Sequence, residues 1–286
     1  MRKITALFLL TALVAIGAGC GDDDDSGSAG DNVLTFIEDE YSYEIDGDVD
    51  AGTVTFDVDN VGDEFHMVGV CKLKSGKTVG DLQTAAQSED ESAFAEICFE
   101  ESPIDGLGGG STPGSRYQVT ATGIEAGKYA AICFLPDKDG KPHFLRGMIK
   151  GFEVGEGEED AEIEGDVTYT ATKDKLSGPK ELDAGETTFK YVPGGGFDEF
   201  LILKLKDGKT ADDVDAFFDA MDEGAFYTDA ESPVDYLYFA FNDSEPRSFT
   251  VDLTPGKWAI SGTNSDSDEE SPDPDEDPHV IQFTVS

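Results

Sequence analysis

Four residues between positions 66 and 148 carry chemistry by type and order: His66, Cys133, His143 and Met148. Two imidazoles and a thiolate form a trigonal ligand plane, and a thioether held at a distance completes it weakly. That set suits copper, because the thiolate binds the ion covalently and the far sulfur tunes its potential. Taken singly, each residue has a plainer reading. A lone buried cysteine is a small hydrophobe, and Met148, which precedes a strand-like segment at residues 149–154, would fill a core. The order His, Cys, His, Met argues for a site, as does the placing of two of the chain's three histidines in it. A Cys133–His66 nucleophilic dyad would leave His143 and Met148 without a role.

Rigid elements must position such a set, and the sequence shows two copies of them. Asp50-Ala51-Gly52 recurs as Asp183-Ala184-Gly185. Lys72-Leu73-Lys74 and Gly76-Lys77-Thr78 recur as Lys204-Leu205-Lys206 and Gly208-Lys209-Thr210. Glu101-Ser102-Pro103 recurs as Glu231-Ser232-Pro233, and Gly127-Lys128-Tyr129-Ala130 as Gly256-Lys257-Trp258-Ala259. Order and gaps are kept, which marks a tandem repeat. The units span residues 31–155 and 161–286, with an acidic, Gly-rich linker at 156–160. Val54, Phe56 and Val58 alternate with polar residues, as do Thr187, Phe189 and Tyr191, the period of half-buried strands. Short strands between Gly, Asp and Pro turns predict an all-β sandwich in each unit. One short helix is expected inside each. Val214, Phe217, Phe218 and Met221 form its apolar stripe in the second unit, and Thr78/Asp81 and Thr210/Asp213 form capping boxes.

At these residues the first unit resembles the cupredoxin family. Gly127-Lys128-Tyr129-Ala130-Ala131-Ile132-Cys133 is similar to its final-strand entry into the metal loop. Pro142-His143 with Gly147-Met148 resembles the end of that loop, and Asn60, Gly62 and His66 resemble the upstream histidine motif. The resemblance implies two tandem Greek-key β-sandwiches. It also implies one type 1 copper ion per chain on His66, Cys133, His143 and Met148, and a carrier or binding protein rather than an enzyme. Delivery or storage of copper would use the same ligands. The loop from Cys133 to His143 is longer than in small members of the family, so Lys138 to Lys141 could carry the histidine away. That outcome would favour a metal-free interaction module of the cell envelope. Besides Cys133 the unit holds Cys71 and Cys98. Cys71 matches Leu203 in the repeat and Cys98 lies in an insertion the second unit lacks, so these two are expected to pair and leave Cys133 free. Through the repeat, His66 becomes Asp198 and Cys133 becomes Gly262, while His279 falls near the Met148 position. The second unit is therefore expected to lack copper.

The N-terminus reads as an export signal. Arg2 and Lys3 precede an apolar run at residues 4–18, shorter than the ~20 residues of a membrane span. Small residues then lead to Cys20. The segment resembles a bacterial lipoprotein signal of residues 1–19, with Cys20 lipidated and a polar tether at 20–30. An extracytoplasmic, membrane-anchored protein is expected, in a compartment that permits disulfides. The formal charge of −42 excludes nucleic acid as a partner, since nucleic-acid binding needs basic surface. Adhesion to anionic lipid heads is excluded on the same ground. A redox partner protein is expected instead, and a saline habitat would screen the self-repulsion. The carboxylate-rich segment 264–277 lacks the spacing of a calcium loop. Gly108–Gly110 and Gly194–Gly196 read as turns rather than phosphate loops.

Overall fold

The computed structural model describes residues 32–88, 92–98, 108–157, 160–172, 174–193, 199–210, 213–214, 216–217, 232–241, 246–263 and 280–286. The signal, Cys20, the tether, Asp198, Phe218, Met221, His279 and the acidic segment 264–277 lie outside the described residues. No helix among the described residues is long and apolar enough to cross a membrane.

The first unit runs β1 (Val33–Asp39), β2 (Ser42–Asp46), β3 (Val49–Asp50), β4 (Gly52–Asn60), β5 (His66–Lys72), α1 (Val79–Ala86), α2 (Ser92–Ala95), β6 (Gly108–Ser111), β7 (Arg116–Ile124), β8 (Gly127–Ile132) and β9 (Ile149–Gly155). The second runs β10 (Val167–Thr172), β11 (Lys175–Ser177), β12 (Gly185–Pro193), β13 (Glu199–Leu205), β14 (Val234–Phe241), β15 (Arg247–Leu253), β16 (Gly256–Thr263) and β17 (Val280–Val285). Each is a two-sheet β-sandwich. β1 pairs parallel with β4, as β10 does with β12, and β5–β8–β9 pair antiparallel, as β13–β16–β17 do.

The repeat extends to side chains. Cys71 stands opposite Ala130 and Leu203 opposite Ala259. Thr55 and Thr120 share a hydroxyl hydrogen bond of 2.9 Å across their strands, and Thr188 and Thr250 share another of 2.9 Å. Tyr129 donates to the Glu125 carbonyl at 2.7 Å, and Trp258 donates to that of Thr254 at 2.9 Å. α1 starts at a Thr78–Asp81 capping box, and Thr210 and Asp213 make the same side-chain bonds ahead of the helical residues 213–214 and 216–217.

Alternation alone would leave two separate sandwiches. Instead β7 pairs antiparallel with β15, which joins one sheet of each unit into a continuous eight-stranded sheet, β11-β10-β12-β15-β7-β4-β1-β2. This joint buries strand edges that would otherwise be exposed. Tyr117 and Tyr238 meet across it, ring centroids 4.8 Å apart. Elsewhere, Phe65 of the first unit enters a cluster of Leu203, Val214, Phe217, Val234 and Leu237 in the second. The linker side is tied too: Ala161 donates to the Thr53 hydroxyl at 2.7 Å.

Candidate metal centre

Two adjacent strands place the first two ligands. His66 opens β5 and faces inward with Val68 and Val70. β8 runs antiparallel beside it, with Ile132 opposite Gly69, so Cys133 leaves that strand beside the start of β5. The loop after Cys133 returns His143. His143 N–H donates to the Leu135 carbonyl at 2.9 Å, Phe144 N–H to that of Cys133 at 2.9 Å, and Cys133 N–H to that of Met148 at 3.2 Å. The extra loop length is absorbed by a tight turn. Pro136 and Pro142 bridge, and Asp137 caps the residues between them by accepting from the Asp139 and Lys141 amides at 2.8 and 2.9 Å. Arg146 clasps the same carboxylate at 2.6 Å. Lys138 to Lys141 therefore bulge outward without carrying His143 away.

His66, Cys133 and His143 bring their ligand atoms within 4.8 Å of one another, and all three are fully buried. The two Nδ1 atoms are 3.2 Å apart, and Cys133 Sγ lies 3.4 Å from His143 Nδ1. One ion bound at ~2.0–2.1 Å to nitrogen and ~2.3 Å to sulfur would set such pairs ~3.4–3.8 Å apart. These two pairs thus have to open by only roughly 0.2–0.4 Å to hold a metal at these bond lengths. Met148 is fully buried in the same core cluster as Cys133, and its amide donates to the His143 carbonyl at 3.1 Å. Gly147, at φ 123°, makes the turn that precedes it. Cys71 and Cys98 form a disulfide, Cα atoms 5.5 Å apart, and Cys133 is the free thiol.

Burial sets the protonation of the three groups. It lowers His66 to about 3, with the neighbouring His143 adding and Asp39 opposing. It lowers His143 to about 4, with Asp137 opposing and Arg146 adding. Both imidazoles are neutral at pH 7, as metal binding requires. Burial, helped by Glu38, raises the Cys133 thiol well above its usual value, while backbone hydrogen bonds with Leu135 and Met67 oppose this. The thiol is protonated until a metal displaces its proton.

A second layer braces the ligands. Asn60 donates to the carbonyls of Glu64 and Ser111 at 3.0 and 2.9 Å and accepts from the Gly62 amide at 3.0 Å. A Cβ on Gly62 would stand 2.8 Å from His66 Nε2, so only glycine lets this backbone approach the imidazole. Tyr43 donates to the Met67 carbonyl.

Three residues of the site escape motif reading. Glu38 is fully buried; Ser111 donates to one oxygen, and the other has no hydrogen-bond partner. Burial raises it to about 8, with the Ser111 bond opposing and Asp59 adding. The alternation Leu34, Phe36, Glu38 already points it inward. Glu64 reaches His143, its Oε2 3.1 Å from Nε2. Tyr41 lays its ring edge-on to His143, centroids 5.1 Å apart. Neither Glu64 nor Tyr41 has a signal in the sequence, because the contacts depend on how the β1–β2 turn folds over the loop.

No protein-family model matches the chain, and no curated protein matches it. Several solved structures show a distant likeness to the chain, all at TM-scores below 0.3 among those named here. Reduced auracyanin from Roseiflexus castenholzii is 18% identical over 45% of this chain and 99% of its own, with a TM-score of 0.28. A multicopper oxidase is 12% identical over 89% of this chain and 88% of its own, TM-score 0.24. The copper nitrite reductase of Nitrosomonas europaea is 12% identical over 89% and 93%, TM-score 0.23. These correct one expectation. Enzymes stand among the similar structures, so the sequence's implication that this chain is not an enzyme is withdrawn.

Proposed function

We propose that the first unit binds one copper ion on His66, Cys133 and His143, with Met148 as the weak axial ligand, and that the chain transfers single electrons. The observation that carries this reading is the convergence of two Nδ1 atoms and one Sγ, all buried, at spacings one ion can bridge. Such an ion would supply a one-electron couple whose colour and potential follow from the Cys133 bond. The chain's part is to keep its ligands still. His66 is fixed by a strand, His143 and Met148 by the backbone bonds that close their loop, and Cys133 by both. Burial of both imidazoles supports electron transfer over copper delivery, because handing the ion on needs an open ligand edge.

The N-terminal signal pattern supports an anchor at Cys20 and an extracytoplasmic location, and the Cys71–Cys98 disulfide fits an oxidising compartment. A redox partner for so acidic a chain would present basic surface, and its association would slow as salt rises.

A Cu(II) titration of the purified chain followed by visible absorption tests the site. The expected result is an intense band near ~600 nm from the copper–thiolate bond, saturating at one ion per chain and lost in Cys133→Ser. A chain that retains no copper after dialysis would end the proposal. Loss of membrane association in Cys20→Ser would test the anchor.

A further inference from the structure

The outer face of His143 is not open to solvent but closed by two residues from separate loops. Its side chain is fully buried, and Nε2 has no aligned hydrogen-bond partner. The nearest charged group is Glu64, with Oε2 3.1 Å away. Tyr41 stands over both. Its hydroxyl lies 3.3 and 3.4 Å from the two Glu64 oxygens, and its ring meets the imidazole edge-on. Arg146 lies over the far side of that ring, 6.0 Å from its centre.

Tyr41 takes φ 61°, the left-handed region, in the turn between β1 and β2. A bulky residue is strained there, and Gly or Asn would relieve it.

The contacts of the imidazole favour one tautomer. His143 Nδ1 faces Cys133 Sγ and His66 Nδ1. A protonated thiol donates to that nitrogen only if it is bare, which leaves the proton on Nε2, facing Glu64. A metal at Nδ1 demands the same tautomer. Histidines that ligate metals commonly give their other N–H to a carboxylate, which fixes the ring and makes the ligand more basic.

We infer that Glu64, held by Tyr41, is a positioning residue for His143: its carboxylate accepts the Nε2 proton, keeps Nδ1 bare for the metal and stabilises the more highly charged oxidised ion. This rests on the copper reading. A modest turn of the ring would align the present contact into a hydrogen bond.

Two variants and two readouts test it in the full chain. Glu64→Gln keeps an acceptor and removes the charge. It should weaken Cu(II) binding about tenfold, at the low end of the usual loss for such partners, and leave Cu(I) binding less changed. For one electron a tenfold difference is a rise of about 59 mV in potential. Glu64→Leu removes the acceptor. In the metal-free protein, ¹⁵N resonances should show His143 protonated on Nε2 in the wild type and a mixed tautomer in this variant. An unchanged potential in Glu64→Gln, or a wild-type His143 carrying its proton on Nδ1, overturns the inference. A wild-type chain that takes up no copper would instead fell the copper reading, and the tautomer comparison would still decide whether Glu64 orders His143.

Discussion

His66 Nδ1 and His143 Nδ1 stand 3.2 Å apart inside the core, with no charged group between them. Two imidazoles this close repel as soon as both are protonated, which is one cause of the depression of His66. The arrangement is therefore built for the neutral pair, and a cation between the nitrogens converts repulsion into ligation.

The first prediction concerns protons. Both imidazoles are neutral at pH 7 and only the Cys133 thiol holds a proton that must leave. Copper binding should release about one proton per ion at pH 7, because only deprotonated thiolate ligates. Calorimetric titrations in two buffers of different ionisation enthalpy read this number. Release near zero would mean that the thiol is not a ligand.

The metal-free protein should have a stability maximum near pH 6–7. Unfolded, each imidazole takes up a proton as pH falls through its ordinary 6.5; folded, His143 resists to about 4 and His66 to about 3. The unfolded chain holds more protons in that window, so stability drops as pH falls, by at most about 1.4 kcal/mol per unit for each group. Glu38 acts oppositely. Folded, it keeps its proton to about 8; unfolded, it loses it near 4.5. Its contribution is full at low pH and fades as pH rises from about 4.5 to about 8. Two imidazoles outweigh one carboxyl below 6.5, and above it Glu38 acts alone. Urea unfolding between pH 4 and 9 should trace the maximum, and Glu38→Gln should flatten its alkaline side. A variant that still loses stability above pH 7 would place the cause elsewhere.

The disulfide closes a stretch of 27 residues across the α1–α2 region. A loop of that length restricts the unfolded chain by roughly 3–4 kcal/mol. The Cys71→Ala/Cys98→Ala pair should lose about that much in denaturant, yet keep the copper band, because Cys133 takes no part in the bridge. Loss of the band with the fold intact would show that the bridge holds the site directly.

Much of this was legible before any coordinates. Repeat order, strand alternation and the Thr78 and Thr210 capping boxes depend on neighbours in sequence, so the architecture of each unit follows from local patterns. The approach of His143 to Cys133 was legible because both lie within one loop, where short-range bonds decide their meeting. What was not legible depends on contacts between distant loops. Tyr41 and Glu64 are ordinary surface residue types, and nothing in their neighbours foretells a lid over His143. The pairing of β7 with β15 was equally hidden, because both strands read as complete parts of their own sandwich.

Phe65 ties the second unit to the candidate metal centre. It sits between Glu64 and His66, but its ring leaves the first unit and packs against Phe217, centroids 5.7 Å apart, among Leu203, Val214, Val234 and Leu237. The second unit thus grips the chain at the residue between a ligand and the carboxylate that faces the other ligand. Phe217→Ala removes the ring that Phe65 meets and should cost about 3–5 kcal/mol of stability, as large-to-small core changes do. The loss should not stay in the second unit. With Phe65 loosened, the start of β5 gains freedom, and copper should bind more weakly than in an equally destabilising control such as Phe189→Ala, which lies in β12 away from this cluster. Copper affinity compared between the two variants is the measurement. Equal affinities would make the second unit a stabilising neighbour and no more.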